Sequence, residues 1–151
     1  MFRFKPFLLL LLLLSSPVKA QLWEYIVTSE HGNRYMIDPL SIKRQCNEVS
    51  YTQLTNYAKN FLPEPRKIRS IVQYKSNDCE HHKFAITHLI GYEQEDAKGS
   101  IVVVEMETKK KWLEVSPGKI ADIIHQEICN YKYWYVPFQT LLKLLLLGMP
   151  K

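Results

Sequence analysis

The sequence predicts an α+β domain: a mostly antiparallel sheet of about six strands, with one C-terminal α-helix packed on it. Two observations predict this class. Short runs rich in aromatic and β-branched residues follow one another over residues 22–106, separated by turn-forming residues. The period then changes to that of a helix, because Ile120, Ile123, Ile124 and Ile128 fall on one helical face up to Cys129. Strands in succession followed by one amphipathic helix are typical of an α+β fold.

Each element has its own local signal. Pro39 is expected to end the second strand, because proline cannot donate a hydrogen bond to the sheet. Ser116 and Pro117 are expected to start the helix as the N-cap and the first helical residue. In the fifth strand, period two places one set of side chains on one face: Phe84, Ile86, His88, Ile90 and Tyr92. The predicted strands are 22–28, 33–38, 48–57, 68–75, 84–92 and 101–106.

The first twenty residues form a separate unit. Arg3 and Lys5 precede an apolar block at 7–14, and the segment ends at Ala20. This pattern predicts a secretory signal peptide over residues 1–20. The block is too short for a helix that spans a bilayer, which takes ~20 residues. No cysteine lies near the cleavage point, so we expect an exported protein of the periplasm or the outer-membrane surface that is not a lipoprotein.

Charge and composition exclude several classes. The 151 residues carry a formal net charge of +5, which falls to +2 once Arg3, Lys5 and Lys19 leave with the signal peptide. Broad attraction to nucleic acid therefore has no support. The 46% hydrophobic content excludes a disordered chain. No segment resembles a phosphate-binding glycine loop or a nucleophile elbow, so we expect no cofactor and no enzyme.

Three cysteines in an exported chain allow three single bridges. Cys79 with Cys129 is the favoured pair, because Cys79 begins a β-like run and Cys129 ends the helical one. The bridge would then tether the helix to the sheet. Cys46 is expected in a turn, either as a free or buried thiol or in an intermolecular bridge.

The densest cluster of candidate metal ligands is Asp78, Glu80, His81 and His82. Adjacent histidines on a strand point to opposite faces, which favours a structural or surface role over a metal site. A metal-dependent hydrolase around the two histidines stays a minor alternative. His88 is expected to be a hydrogen-bonded core residue.

Basic residues are concentrated in residues 66–75. Alternation in this strand places Arg69, Ile71, Gln73 and Lys75 on one face. The predicted ligand-binding residues are Arg66, Lys67, Arg69 and Lys75, exposed toward an acidic protein segment or a sulfated glycan. A merely solvated strand face is the alternative. A second basic cluster at Lys109, Lys110 and Lys111 is expected to be a solvated loop.

Residues 131–151 form an aromatic and leucine-rich tail outside the domain of residues 21–130. Aromatic residues followed by leucines suit peripheral contact with a membrane surface or a groove in a partner protein. Packing on the sheet and a poorly ordered tail are equally open interpretations.

Several strings of residues resemble a known family. The first is Tyr35-Met36-Ile37-Asp38-Pro39-Leu40-Ser41-Ile42. The second runs from Pro63-Glu64-Pro65-Arg66-Lys67 through Arg69-Ser70-Ile71 and Gln73-Tyr74-Lys75 to Cys79. With Cys129 closing the helix, this order is similar to that of the bacterial surface-adhesin protein E family.

The resemblance implies a six-stranded antiparallel sheet whose C-terminal helix is held by a Cys79–Cys129 disulfide. It also implies a Gram-negative envelope protein, often a homodimer, that binds host vitronectin, laminin and plasminogen. Arg66 and Lys67 fall where the family's basic pair implies vitronectin binding. We therefore expect a non-enzymatic adhesin that recognises host matrix or serum proteins. The alternative is a periplasmic structural or assembly factor that binds an envelope partner or a membrane surface.

Overall fold

In the computed structural model, residues 22–62 and 66–132 are described. They form an antiparallel sheet with one α-helix near its C-terminal end, and the predicted fold class is confirmed. The helix α1 spans Ile120–Asn130. The strands are β1 (Glu24–Thr28), β2 (Arg34–Gln45), β3 (Glu48–Asn56), β4 (Ser70–Asp78), β5 (Lys83–Tyr92), β6 (Ile101–Met106) and β7 (Leu113–Glu114).

The strands are neighbours in chain order, from β1 to β6, so the sheet is a meander. The two-residue strand β7 returns to pair with β5, where Leu113 lies opposite Phe84. All six predicted strands are present. β7 was not predicted, because two residues carry no periodicity.

The expectation that Pro39 ends the second strand is wrong. β2 continues to Gln45, but its pairing with β3 is interrupted between Asp38 and Lys43. The missing donor of Pro39 is therefore accommodated by a bulged segment rather than by a strand end. Ser41 holds this segment to the sheet, because its Oγ donates to the Asp38 carbonyl at 2.6 Å and accepts from the Thr52 amide at 2.8 Å.

A second irregularity changes the face assignment in β5. Tyr74 pairs with His88, whereas the next residue, Lys75, pairs with Ile86. Thr87 is therefore an extra residue that reverses the alternation. Phe84 and Ile86 lie on one side of the sheet and His88, Ile90 and Tyr92 on the other, so the prediction of one shared face is wrong.

The helix begins later than predicted. Its N-cap is Lys119, and Ser116 and Pro117 lie in the preceding turn. Gly118 has φ +72°, a left-handed conformation that a helix cannot include. Ile124 and Ile128 are buried as expected, but Ile123 is 41% exposed, and Asp122 and His125 face inward instead.

The main core lies between the helix and one side of the sheet, which we call the helix face. Ile37, Val49 and Tyr51 on the sheet pack with Ile124 and Ile128 of the helix. The Cys79–Cys129 disulfide fastens the end of β4 to the end of the helix, with Cα atoms 5.6 Å apart. The predicted tether is confirmed.

The opposite side, which we call the open face, carries the side chains of Ser50, Thr52 and Tyr74 and no helix from the described residues. At one end of this face, Met36, Leu54 and Val72 form a smaller core together with Ala97 of the β5–β6 connection. At the other end the face is accessible, because no described element covers it.

The predicted signal peptide and the tail beyond Lys132 lie outside the described residues. Within the described part of the chain, no helix has the length and apolarity to cross a membrane.

Candidate functional site

Arg66 and Lys67 lie in the connection between β3 and β4, and both side chains are exposed. Among the described residues, neither forms an ion pair or a side-chain hydrogen bond. Phe61, in the same connection, is 53% exposed. The β3–β4 connection therefore presents two cations, unpaired within the described residues, and an exposed aromatic ring, which packs on Tyr57 with ring centres 4.8 Å apart.

The residues after the basic pair anchor the connection. Ile68 is 1% exposed and packs on Gly91 of β5 and the neighbouring Val103. Its carbonyl accepts a hydrogen bond from the Phe61 amide at 2.9 Å. The anchor fixes the backbone immediately next to Lys67 and holds the Phe61 backbone against that of Ile68.

Arg69 serves a different purpose. Its guanidinium binds the Glu95 carboxylate, and its Nε donates to the Tyr57 carbonyl at 3.2 Å. The other Glu95 oxygen accepts from Arg34 at 2.6 Å. Arg69 therefore joins β2, the β3–β4 connection and the β5–β6 connection, and its guanidinium is already paired with a carboxylate that it shares with Arg34.

Lys75 is only 8% exposed, so its predicted exposure is wrong. The predicted alternation of β4 is correct, but the face that carries Lys75 is the helix face. Its Nζ donates to Gln53 Oε1 at 3.1 Å and lies 4.8 Å from the centre of the Phe84 ring. Burial without a carboxylate partner lowers the pKa of Lys75 to about 8.

Polar groups surround Lys75 beneath the helix. The Tyr51 hydroxyl donates to Asn77 Oδ1 at 3.4 Å, and burial raises the Tyr51 pKa. Asn77 Nδ2 and His125 Nδ1 are buried without a hydrogen-bond partner among the described residues. The expected set of four basic ligand residues thus separates into an exposed pair, Arg66 with Lys67, and two cations engaged within the fold.

His81 and His82 lie in the β4–β5 turn rather than on a strand. His81 Nδ1 is 2.9 Å from Asp78 Oδ2, and His82 Nε2 is 3.1 Å from Asp122 Oδ1. The two rings therefore engage different carboxylates. Among residues 22–62 and 66–132, no group of three or more histidine, cysteine or acidic residues could hold a metal ion.

The second ring of the turn contacts the helix. The His82 and His125 ring centres are 4.4 Å apart, and His125 Nε2 is 3.5 Å from Cys129 Sγ. Burial lowers the pKa of His125, and the nearby His82 lowers it further. Cys46 is an exposed free thiol in the β2–β3 turn, as the sequence indicated.

Sequence reasoning missed Glu95 and Phe61. Glu93, Glu95 and Asp96 follow the fifth predicted strand, and their opposite charge to the 66–75 run was a usable signal for the Arg69–Glu95 pair. Phe61 gave no signal, because a single aromatic residue between predicted strands has no pattern. His88 is half-buried rather than in the core, and it packs edge-on against Tyr74 with ring centres 5.5 Å apart.

Comparison with known proteins agrees with this architecture. The crystal structure of protein E from non-typeable Haemophilus influenzae superposes with a TM-score of 0.53 at 25% identity, covering 74% of this chain and 77% of that chain. Crystal form II of Haemophilus influenzae protein E gives a TM-score of 0.54 at 26% identity, covering 74% and 89%. No curated protein matches the sequence.

The family comparison covers nearly all of the described residues. The model of the family described as "Surface-adhesin protein E" matches residues 23–130, from the start of the sheet to the last residue of the helix. The basic pair, its Ile68 anchor and both disulfide cysteines lie within that match. The chain therefore belongs to the surface-adhesin protein E family.

Proposed function

We propose that this protein is an exported, non-enzymatic adhesin that binds an acidic segment of a host matrix or serum protein through Arg66 and Lys67. Membership of the surface-adhesin family supports the general class. The observation that carries the specific proposal is the exposure of this pair, without an acidic partner among the described residues, next to an anchored backbone.

The chemistry of the pair suits a protein ligand. An exposed ion pair contributes only ~0–1 kcal/mol, so two cations alone do not give a stable complex. Phe61 belongs to the same connection and is exposed, so it can bury apolar area, which aromatic residues at interfaces do effectively. The expected ligand segment therefore combines acidic residues with an apolar side chain. The charges accelerate the encounter and the aromatic contact slows dissociation.

Two features support export. Residues 1–20 have the pattern of a signal peptide. The Cys79–Cys129 disulfide joins two elements of the core, and such bridges persist in oxidising compartments. A protein confined to the periplasm cannot reach host matrix, so the adhesin proposal also requires display on the cell surface.

A binding experiment with matched variants tests the proposal. Vitronectin, laminin and plasminogen are immobilised separately, and the purified oxidised protein is passed over each by surface plasmon resonance. Arg66→Glu/Lys67→Glu reverses both charges of the pair. Lys109→Glu/Lys111→Glu makes the same change of charge at two exposed lysines near the opposite end of the sheet, where the neighbouring Lys110 binds Glu48.

We expect the wild type and the Lys109/Lys111 variant to bind at least one of the three proteins equally, and the Arg66/Lys67 variant to bind it at least tenfold more weakly. Equal binding by all three forms would show that Arg66 and Lys67 do not contribute to ligand binding. No binding by any form would contradict the adhesin proposal. Protease treatment of intact cells supplies the second test, since a protein inaccessible at the surface would favour the periplasmic alternative.

A further inference from the structure

A concavity lies on the open face, away from Arg66 and Lys67. It is an open trough of about 890 Å³ that runs across β2, β3, β4 and β5. This volume is within the range of ~300–1,000 Å³ found for ligand sites. Its lining includes neither Arg66 nor Lys67 and reaches the main core only at Tyr51, so the proposed adhesin function leaves it unexplained.

The trough exists because of the two irregularities in the sheet. On one side, the bulged segment of β2 after Asp38 is unpaired with β3 and forms a wall that presents Leu40, which is 58% exposed. On the other side, the extra residue Thr87 turns His88 onto the open face beside Tyr74. Bulges frequently occur next to functional sites, where they redirect side chains.

The floor and the walls differ in chemistry. Small hydroxyl residues, Ser50, Thr52 and Ser76, form the floor, and their short side chains leave its depth free. Tyr74 is 43% exposed. Its ring packs edge-on against His88, with an angle of 70° between the two ring planes. The Tyr74 hydroxyl has no hydrogen-bond partner among the described residues. The trough thus offers an aromatic ring beside a polar floor.

Charge narrows the class of ligand. Asp38 and Glu48 balance Lys43 and Lys110 among the charged side chains that line the open face, and Lys110 already binds Glu48. Lys75 also borders the trough, but its ammonium group lies on the helix face, bound to Gln53. Because the acidic and basic groups cancel, the trough has no net attraction for an anion.

We propose that this trough binds an uncharged oligosaccharide. A sugar ring has an apolar face of C–H groups, which pack on the electron-rich face of an aromatic ring such as Tyr74. Its hydroxyls both donate and accept hydrogen bonds, as the mixed lining requires. Asp38 Oδ2 and Lys43 Nζ have no hydrogen-bond partner within the described residues and supply an acceptor and a donor at the β2 wall.

The test uses a printed array of uncharged oligosaccharides, with sialylated and sulfated ones alongside, followed by NMR titration of the oxidised protein with the best uncharged binder. Tyr74→Ala removes the ring, and Ser50→Phe fills the floor. Tyr25→Ala removes an exposed tyrosine from β1, away from the trough, and is the matched control. Thermal unfolding of every variant reports whether the fold is intact.

We expect an uncharged oligosaccharide to bind, with Tyr74→Ala and Ser50→Phe each weakening the affinity at least tenfold and Tyr25→Ala leaving it unchanged. Arg66→Glu/Lys67→Glu also leaves it unchanged, which separates this site from the proposed adhesin site. The proposal is overturned if only charged glycans bind, if no uncharged oligosaccharide binds, or if binding is insensitive to both trough variants. If an extended peptide binds in the trough and no oligosaccharide does, the oligosaccharide proposal is likewise overturned.

Discussion

Ile68 packs on Gly91 so closely that a methyl group at position 91 would lie 3.0 Å from Ile68 Cδ1. The same methyl group would lie 2.7 Å from Val103 Cγ1. The glycine therefore provides the space in which Ile68 anchors the β3–β4 connection. Because Ile68 follows Lys67 directly, this contact links the packing of β5 to the position of the proposed binding pair.

Gly91→Ala is expected to destabilise the fold by ~1–3 kcal/mol, since the added methyl overfills a packed site. It is also expected to weaken ligand binding, because the Ile68 side chain must shift and its backbone adjoins Lys67. Urea unfolding and surface plasmon resonance measure the two effects. Gly91→Ala/Val103→Ala removes the closest contact and should recover part of the lost stability and part of the lost affinity. Unchanged stability in Gly91→Ala would show that the anchor is not tight.

Lys75→Met is expected to raise stability at pH 7 by ~1–3 kcal/mol. A buried ammonium without a carboxylate is unfavourable, and methionine fills a similar volume between Tyr51 and Phe84. Host-protein binding should not change, because the side chain is buried. A loss of binding with an intact fold would show that Lys75 does contribute to ligand binding.

The same residue predicts a pH dependence. The folded pKa of Lys75, about 8, is below its ordinary value of 10.5, so the unfolded chain binds more protons between these values. Stability therefore rises as the pH increases above 8. The rise should be followed to pH 9, about one unit below the ordinary tyrosine pKa of 10.0, because tyrosines that ionise in the unfolded chain oppose it. Urea unfolding of wild type and Lys75→Met should show the rise in the wild type alone.

The lowered pKa of His125 predicts a loss of folding stability on the acidic side of the pH profile. Burial and His82 lower its pKa, so below its ordinary value of 6.5 the unfolded chain takes up a proton that the folded chain resists. Asp122, Asp78 and Lys75 are the other charged groups that act on it. Stability should fall below pH 6.5 by at most about 1.4 kcal/mol per pH unit for one group.

His125→Gln is the corresponding variant, and urea unfolding between pH 7.5 and 5 is the measurement. The lowered pKa values of Asp122 and Asp78 change stability only near and below pH 3.8, their ordinary pKa. The contribution of these aspartates is therefore separate from that of His125. The variant should have a flatter profile over this range. An identical slope in both proteins would assign the acid sensitivity to another group.

The disulfide should dominate stability. Cys79 and Cys129 are 50 residues apart, and closing a loop of this length stabilises a fold by ~4 kcal/mol on the chain-entropy model. Cys79→Ser/Cys129→Ser is expected to lose a comparable amount in urea unfolding, whereas Cys46→Ser, at the exposed free thiol, should lose none. A loss below ~1 kcal/mol would indicate that packing alone holds the helix.

Much of this fold follows from local pattern. The strand runs, the helix and the Cys79–Cys129 bridge were predicted, because alternation and helical period reflect which side chains must be buried. The bulges at Pro39 and Thr87 were not, since they depend on how two strands pair. A single inserted residue exchanges the faces of everything beyond it, as His88 shows.

The candidate site was predicted in part for a related reason. The sequence identified a basic run, and alternation correctly placed Lys75 on the same face as Ile71 and Gln73. It could not show that the helix covers the side that carries Lys75, or that Glu95 would approach Arg69 from a distant connection. Exposure is a property of the assembled sheet and helix, and of the four predicted ligand residues Arg66 and Lys67 retain it without a partner among the described residues.

The most direct test of the account compares the affinity of Arg66→Gln/Lys67→Gln with that of Arg69→Gln for whichever host protein the wild type binds. The account predicts at least a tenfold loss of affinity with an unchanged melting temperature for the first variant. Arg69→Gln should instead lower the melting temperature, because it leaves Glu95 with only Arg34. Wild-type affinity in Arg66→Gln/Lys67→Gln would contradict the account.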